Sequence, residues 1–533
     1  MSKERLRVAI LTGNNSYAER YLVRLFRSEF DNVIVASTKP IKPVNHTIRY
    51  ALGTVSRVLR LSAKNIFLKY KYSINPLITS KPQADIEEVN INSEIVFRGL
   101  KAFCPDVICI YGTKKIEARI LNLAPNSINI HNGFVPYYRG VSSGYWVSLE
   151  SNFSYLSYSI HKATSTIDAG EVYSSQPVPQ YFFESLPDHQ YRQSIISARA
   201  MLKTVKDIAS GKDLSFKQPD LCTRNLRHKD KPDTFTSKAV ENFISPNGKL
   251  YKLTTARTNR IENFFVKRLF TYRPKKIANG WFIANYHAIT LDDSFEGQGL
   301  PSILTSLRRF KEHLDFYSDE FELISLSRGL TELKSGATKN TRYLSITFDD
   351  SLKLTNEVFE LLTSKDVKPT LFLNSDPVIR QIPLSNHSKY LNWLFNTLKP
   401  ADPYEIWAKS QYLGIGDIHR IVNQDLVELG SHTASHNRLD HLRINDLKTQ
   451  ITAAHKELEH HINKQIPYFA FPYGSLRDRT FLAEYEAMQI SNHYFACEGG
   501  VNQNSVPGAL LRIGIHNEPV TELINLLLRQ YAR

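Results

Sequence analysis

Short apolar runs alternate with helix-like segments over the first two hundred residues. Apolar runs at residues 8–11, 106–111 and 127–131 predict buried strands, and apolar residues at helical spacing over 16–28 and 93–103 predict helices between them. Strands that alternate with helices form parallel sheets. The pattern therefore predicts an open α/β unit in the N-terminal part of the chain.

A second β/α series begins near residue 280. It includes predicted strands at 343–348, 370–373 and 468–471, and predicted helices at 354–364 and 445–464. The intervening segment is irregular and basic. We therefore predict a domain at 1–212, a basic connector at 213–280 and a second domain at 281–533.

The composition is that of a folded globular protein, with 533 residues, 42% hydrophobic and 22% charged. The net charge of +15 allows a ligand rich in phosphate or carboxylate but does not select one. The four cysteines form no C-x-x-C pair, which favours a reducing compartment. We find no secretory signal and no apolar run long enough to span a membrane, so we expect a cytoplasmic location.

The first candidate site begins at the strand predicted over residues 127–131. Asn129 and His131 are two residues apart, so both side chains point to one face of that strand. Asp168 lies in a loop from which it could return to the same cleft. A histidine held by a carboxylate, next to an amide that can donate to an oxyanion, suits acyl transfer to an amine. The alternative is that these are ordinary strand-end and turn residues.

The surrounding motifs favour the first interpretation. The order N-x-H (129–131), P-x-x-R-G (136–140) and D-x-G (168–170) resembles the formyltransferases that use 10-formyltetrahydrofolate, which include methionyl-tRNA and nucleotide-sugar formyltransferases. The resemblance spans about residues 5–210 and implies an open Rossmann-like sheet, with Asn129, His131 and Asp168 as catalytic residues. It also places Tyr111, Gly112 and Arg139 at the folate cofactor.

The second candidate site combines Asp349-Asp350, at the end of a predicted strand, with a later H-x-x-x-H pair, His432 and His436. Adjacent residues of an extended chain point in opposite directions, so one carboxylate could bind a metal while the other faces substrate or water. Asp350 and the two histidines would hold a divalent ion such as zinc, with positions left open for water and substrate. Asp349 is then available as the general base.

These motifs resemble the polysaccharide deacetylase (NodB-like) family, and the resemblance spans about residues 280–533. It implies a deformed (β/α) barrel, with His516 as the catalytic acid and Pro472 and Tyr473 in the substrate groove. Many relatives have an arginine that pairs with the base at the position of Ala470, which leaves the pairing of Asp349 open. The insertion at 376–421, with Trp393 and Trp407, is expected to shape the groove.

Together the two resemblances predict a bifunctional enzyme. Its N-terminal unit would transfer a formyl group to the amine of an amino sugar, nucleotide sugar or glycan, and its C-terminal unit would hydrolyse an N-acyl group from a carbohydrate. One alternative is an aminoacyl-tRNA formyltransferase with an accessory barrel. Another is a carbohydrate-binding protein without activity. A nucleic-acid partner is disfavoured because no RNA-binding motif accompanies the basic connector. The sequence does not predict the oligomeric state.

Overall fold

The structure is a computed structural model. It describes residues 6–13, 16–38, 82–178, 180, 184–212, 215–218, 225–227, 230–232, 234–244, 276–291, 303–475, 480–530 and 532. Residues 39–81 and most of the predicted basic connector at 213–280 lie outside these ranges.

The first half of the chain forms a seven-stranded sheet of order β3-β2-β1-β4-β5-β7-β8. Its pairings from β3 to β5 are parallel, and β5 pairs with β7 in antiparallel register. The strands of this half, with the small β6-β9 pair, are β1 (Arg7–Thr12), β2 (Asn32–Thr38), β3 (Ile86–Glu88), β4 (Val107–Tyr111), β5 (Asn126–His131), β6 (Arg139–Gly140), β7 (Ser157–Lys162), β8 (Val172–Pro177) and β9 (Asn225–Leu226).

β4 lies in the middle of this sheet. All five of its residues are buried, as expected for a central strand covered by helices on both faces. The α-helices of this half are Tyr17–Arg27, Glu94–Phe103, Ala118–Leu121, Ser143–Leu149, Leu186–Ala209 and Phe235–Ile244, and Phe153–Tyr155 is a 3-10 turn. The carboxyl ends of β4 and β5 therefore share one edge of the sheet, where ligands of open α/β sheets bind.

The second half forms a nearly closed parallel barrel. Its strands run in the order β19-β18-β17-β16-β15-β14-β10-β20, and β13 also pairs with β14. The strands of this half, with the separate β11-β12 pair, are β10 (Gly280–Tyr286), β11 (Ala288–Thr290), β12 (Leu304–Ser306), β13 (Glu322–Leu323), β14 (Arg342–Phe348), β15 (Thr370–Leu373), β16 (Glu428–Ser431), β17 (Tyr468–Ala470), β18 (His493–Ala496), β19 (Leu510–Leu511) and β20 (Ile513–Gly514).

The last strand pair closes this barrel. β19 pairs with β18, whereas β20, one residue further along, pairs with β10 at the opposite end of the sheet. Arg512 separates the two pieces and is completely buried. The final extended segment thus joins both edges and directs a charged side chain inward at the junction.

The barrel helices confirm the predicted β/α alternation. They are Leu307–Glu320, Leu326–Ser335, Asn356–Ser364, Ser375–Arg380, Ser388–Leu398, Tyr404–Ser410, Ile415–Asn423, Ile444–Lys448, Ala454–Ile462, Phe481–Met488 and Val520–Leu528, with 3-10 turns at Ala337–Lys339, Ser385–His387 and Leu439–His441. The single helix predicted at 445–464 is interrupted by a π-helical turn, Thr449–Ala453. Among the described helices, none has the length and apolar character needed to cross a bilayer.

The chain divides into two compact units. One comprises residues 1–131, 159–174 and 191–217, and the other comprises 132–158, 175–190 and 218–533. The predicted fold class, a Rossmann-like open sheet followed by a barrel of the deacetylase type, is confirmed. The domain boundaries at 212 and 280 stay predictions.

Candidate active sites

The end of β5 carries the first group of polar side chains, all within the first compact unit. His131 Nδ1 lies 3.2 Å from Asp168 Oδ2, and Asn129 Nδ2 lies 3.3 Å from Asp168 Oδ1. His131 and Asp168 are both buried. The structure therefore brings the three predicted residues of the acyl-transfer site together, and their catalytic roles stay predictions.

His161 is a fourth member of this group that the sequence analysis did not assign to the site. It lies opposite Asn129 in the β5-β7 register. Its Nε2 is 3.1 Å from Asp168 Oδ1 and 3.2 Å from Asn129 Nδ2. The antiparallel register could have revealed it, but the sequence does not indicate that β7 runs antiparallel to β5.

Backbone geometry explains the D-x-G motif. Asp168 has a left-handed backbone, with φ of 51°. A Cβ on Gly170 would lie 1.9 Å from the carbonyl oxygen of Lys162, so only glycine fits there. The motif thus returns the chain tightly against β7 and places the carboxylate beside the two strands.

The three residues predicted to contact folate have partners within the chain. Tyr111 Oη donates to Ser194 Oγ at 2.8 Å. Gly112 has φ of +69°, and a Cβ there would meet the Glu19 carboxylate. Arg139 lies in the second compact unit, where its Nη2 donates to Gln218 Oε1 at 2.6 Å. Their contacts with folate stay predictions.

The second candidate site lies within the barrel unit. Ligand atoms of Asp350, His432 and His436 all lie within 4.8 Å of one another, and all three residues are buried. Asp350 Oδ1 is 3.4 Å from His432 Nε2 and 3.2 Å from His436 Nε2. One carboxylate oxygen and two imidazole nitrogens thus converge at the carboxyl end of the barrel strands.

An extended chain would point the Asp349 and Asp350 carboxylates in opposite directions. In the structure they do not point apart. β14 ends at Phe348, and Asp350 has a left-handed backbone with φ of 72°. His432 Nε2 consequently lies 3.7 Å from Asp349 Oδ2 and 3.4 Å from Asp350 Oδ1. The sharp turn after the strand brings both carboxylates into one site.

The loop that carries the two histidines is held by backbone hydrogen bonds. His432 N–H donates to Leu373 O at 2.7 Å, and Ala434 N–H donates to Gln450 O at 2.9 Å. Gln450 lies in the π-helical turn, where one backbone carbonyl escapes the normal helical ladder. The interruption of that helix therefore gives the loop an acceptor.

Arg512 is the partner of Asp349 that the sequence analysis left open at Ala470. Its Nη1 and Nη2 donate to the two carboxylate oxygens at 2.7 and 2.8 Å. Ala470 contributes its carbonyl instead, which accepts from His432 Nδ1 at 2.8 Å. Arg512 could not be predicted from position 470, where many relatives have the arginine, because it lies between β19 and β20 in the segment that closes the barrel.

Burial and charge act against each other at these groups. Burial opposes ionisation of Asp349, but the Arg512 guanidinium and His432 outweigh it and lower the pKa of this carboxyl. Burial likewise opposes ionisation of Asp350, but His436 and His387 hold its pKa well below the usual range. Burial lowers the pKa of His436 to about 4. Both carboxyls are therefore ionised and His436 is neutral near pH 7, the states in which they bind a metal. Burial opposes protonation of His432, but Asp349 and Asp350 outweigh it and raise the pKa of this imidazole, so metal binding there competes with a proton.

The donor set fits a divalent metal. Among the described residues, Asp350 Oδ1 and His436 Nδ1 are buried without a hydrogen-bond partner. Because His432 Nδ1 donates to a carbonyl, Nε2 is the nitrogen with a lone pair in the neutral ring. Asp350 Oδ1 faces the Nε2 atoms of His432 and His436 in a buried site, and this donor set suits Zn²⁺ or a similar ion.

Two histidines follow the neighbouring strands β10 and β20. His287 Nε2 lies 3.9 Å from Asp350 Oδ2, and burial lowers the pKa of this imidazole. His516, the predicted acid, has a backbone N–H that donates to Glu518 Oε2 at 2.8 Å. The sequence analysis missed His287, although its position directly after a buried strand was visible.

The predicted groove residues differ in exposure. The Tyr473 side chain is 44% exposed, and its ring lies 4.7 Å from that of His436 and 5.4 Å from the Arg438 guanidinium. Pro472 is buried beside it. Trp407 is buried in an apolar cluster with Leu352 and Tyr412. Trp407 thus belongs to the core of the insertion, and the prediction that the insertion shapes the groove stays a prediction.

The family comparison agrees with the geometry of the barrel. Residues 336–492 match the family model described as polysaccharide deacetylase. This range contains Asp349, Asp350, His432 and His436. The chain therefore carries a polysaccharide deacetylase domain toward its C-terminus, and its N-terminal region resembles formyltransferases. Both predicted resemblances are confirmed.

Individual relatives show both kinds of similarity. Methionyl-tRNA formyltransferase from Campylobacter jejuni subsp. doylei is 30% identical over 135 residues, which is 25% of this chain and 38% of the relative. The chain thus spans about two fifths of the length of the curated relatives it matches. The Streptococcus pyogenes deacetylase PplD in complex with acetate is 18% identical, with 48% of this chain and 99% of that chain covered and a TM-score of 0.35. A 4-N formyltransferase from Francisella tularensis is 17% identical, with coverages of 44% and 87% and a TM-score of 0.30.

Proposed function

We propose that the protein is a bifunctional enzyme acting on the amino group of a carbohydrate. One site transfers a formyl group from 10-formyltetrahydrofolate to the amine of an amino sugar, nucleotide sugar or glycan. The other hydrolyses an N-acyl group with the help of a divalent metal. The observation that supports this proposal is the presence of two separate buried clusters, each with the donors its reaction requires. The cytoplasmic location stays a prediction.

At the first site, the amine nitrogen attacks the formyl carbon while the bond from that carbon to the folate nitrogen breaks. Asp168 accepts from His131 Nδ1, so Nε2 is the nitrogen that accepts the proton released by the amine. The Asn129 amide donates to the carbonyl oxygen as it becomes negative. The Asp168 carboxyl group stabilises the imidazolium formed on His131, which then donates its proton to the departing folate nitrogen.

At the second site, Asp350, His432 and His436 would hold the cation, which supplies Lewis acidity toward an amide carbonyl and toward water. Asp349 accepts a proton from the attacking water, and its pairing with Arg512 keeps it ionised beforehand. The departing amine takes a proton from a histidine. We propose His287 for this role, because its Nε2 lies 3.9 Å from Asp350 Oδ2, and His516, the acid that the family resemblance implies, is the alternative.

Mass spectrometry of the product tests both halves. Purified protein is incubated with an N-acetylated nucleotide sugar, Zn²⁺ and 10-formyltetrahydrofolate, and we expect the N-formyl product and free acetate. His432→Ala should abolish acetate release but leave formylation of a supplied free amine intact. Release of acetate without formylation of any amino sugar would contradict the coupled function.

The similarity to methionyl-tRNA formyltransferases supports a second candidate, formylation of an aminoacyl-tRNA. The same protein, supplied with charged tRNA in place of sugar, distinguishes the two acceptors. A higher kcat/KM for formylation of the aminoacyl-tRNA than for formylation of any amino sugar would favour this candidate. Failure to catalyse either reaction, with no bound metal, would favour a carbohydrate-binding protein.

A further inference from the structure

The two oxygens of the Asp350 carboxylate have different surroundings. Oδ1 faces the Nε2 atoms of His432 and His436 without a hydrogen bond to the described residues. Oδ2 lies 2.8 Å from Nε2 of His387, which makes the closest contact to this carboxylate. One oxygen is therefore available to a cation while the other is held by the chain.

His387 comes from the insertion at 376–421, and its side chain is only 1% exposed. It closes the 3-10 turn Ser385–His387 before the helix Ser388–Leu398. Its ring stacks on that of Tyr412 with centroids 5.9 Å apart and planes at 11°. The insertion therefore brings a fixed imidazole to the metal site.

The hydrogen-bond partners of His387 determine which of its nitrogens carries the proton. Tyr412 Oη lies 2.8 Å from His387 Nδ1 and accepts from the backbone N–H of Leu384 at 3.1 Å. The Asp350 carboxylate can only accept, so His387 Nε2 carries the proton and donates to Oδ2. Nδ1 of the neutral imidazole then accepts from the Tyr412 hydroxyl.

The backbone of Tyr412 is tied to the residues that follow Asp350. Leu352 and Tyr412 form a β-bridge, and Leu413 N–H donates to Ser351 O at 2.9 Å. The chain of hydrogen bonds from Tyr412 through His387 to Asp350 is therefore closed by the backbone. Rotation of the Asp350 carboxylate would break this ring of contacts.

We propose that His387 and Tyr412 are positioning residues for the metal site. They orient the Asp350 carboxylate so that Oδ1 faces the two histidine ligands. The insertion at 376–421 is then part of the metal site. This inference rests on the proposed metal-dependent hydrolase. Partners that orient metal ligands typically contribute about 10–100-fold to metal affinity.

The test measures Zn²⁺ affinity of the full-length protein by competition with a chromophoric chelator. We expect Tyr412→Phe and His387→Ala to weaken binding by about 10-fold or more. Tyr390→Phe is the matched control, because Tyr390 contacts the His387 ring edge-on at 6.1 Å and is buried in the same apolar cluster. It should bind Zn²⁺ like the parent.

Different results refute the metal-dependent hydrolase and the positioning role. If the parent protein binds no divalent ion, the metal-dependent hydrolase and the positioning role are both refuted. If the parent binds Zn²⁺ and releases acetate while Tyr412→Phe and His387→Ala bind within about twofold of it, only the positioning role is refuted. Should His387→Ala fail to fold by circular dichroism, Tyr412→Phe decides alone, since it preserves the stacked ring. Loss of affinity in Tyr390→Phe as well would refute the specific hydrogen-bond chain.

Discussion

Replacement of Arg512 by methionine should destabilise the barrel unit strongly. Arg512 is completely buried and donates to both oxygens of Asp349, and its Nη1 also donates to Asn285 Oδ1 at 3.0 Å. Methionine fills much of the arginine volume without its charge. The substitution therefore leaves a buried carboxylate whose main positive partner has been removed.

The magnitude follows from this stranded charge. Removing one partner of a buried ion pair costs about 3–5 kcal/mol, whereas replacing both partners is close to neutral. We therefore expect Arg512→Met to lower the free energy of unfolding by about 3–5 kcal/mol. The double variant Arg512→Met with Asp349→Asn should recover most of that loss.

The effect should depend on pH, with a defined sign. In the parent, burial is outweighed by Arg512 and His432, so the pKa of Asp349 is lowered. The associated stability is present above the unfolded value of about 3.9 and is lost as pH falls through the lower folded pKa. In the variant, burial prevails and raises the pKa. The stability gap between parent and variant should thus be larger at about pH 8 than at about pH 5.

Tryptophan fluorescence provides the assay. The protein has four tryptophans, Trp146, Trp281, Trp393 and Trp407, and all four lie in the second compact unit. Urea unfolding followed by this signal, with a chelator present, reports on that unit without metal linkage. With an m value of about 3 kcal/mol per M, the midpoint should fall by about 1 M or more.

Two results would refute this reasoning. A loss of less than about 1 kcal/mol in Arg512→Met would show that Asp349 does not depend on the ion pair. Equal losses in the single and double variants would show that the cost arises from packing and not from the stranded carboxylate.

Three further predictions concern the two sites and the barrel. His287→Asn should lower kcat for acetate release at least about 100-fold, the usual contribution of a general acid, with Zn²⁺ affinity unchanged. If His516→Asn shows this loss and His287→Asn does not, His516 is the acid. Asp168→Asn should reduce formyl transfer by about 100-fold or more while acetate release, measured on the same preparation, stays at the parent level. Glu484→Leu should lower the urea midpoint, because the fully buried Glu484 carboxyl accepts from Tyr494 Oη at 2.9 Å and a buried hydroxyl that loses its acceptor costs about 1–3 kcal/mol; an unchanged midpoint would contradict it.

Strand positions could be predicted well because periodicity carries them. The strand predicted at 370–373 is observed as Thr370–Leu373, and that at 343–348 as Arg342–Phe348. The helix predicted at 445–464 was only partly right. Its π-helical turn contains Gln450, whose carbonyl accepts from the N–H of Ala434 in a loop outside the helix. Local pattern predicts an element, but tertiary contacts decide its interruptions.

The same distinction between local pattern and tertiary contact holds for the site residues. Asp350, His432 and His436 could be found because they lie in short motifs with fixed spacing. Arg512 and His387 could not, since each reaches the site from a separate segment: one closes the barrel and the other lies in the insertion. For such residues the only signal is three-dimensional proximity.

The neighbouring carboxylates show how such distant residues divide roles within one motif. Asp349 and Asp350 are adjacent, both buried and both ionised near neutral pH. Arg512 holds both oxygens of Asp349, whereas Asp350 has one oxygen held by His387 and the other facing two imidazoles. Of these two carboxylates, Asp350 is the one with an oxygen that no hydrogen bond from the described residues engages. Under the proposed mechanism, Arg512 keeps Asp349 ionised as the base, and His387 leaves one oxygen of Asp350 to the metal.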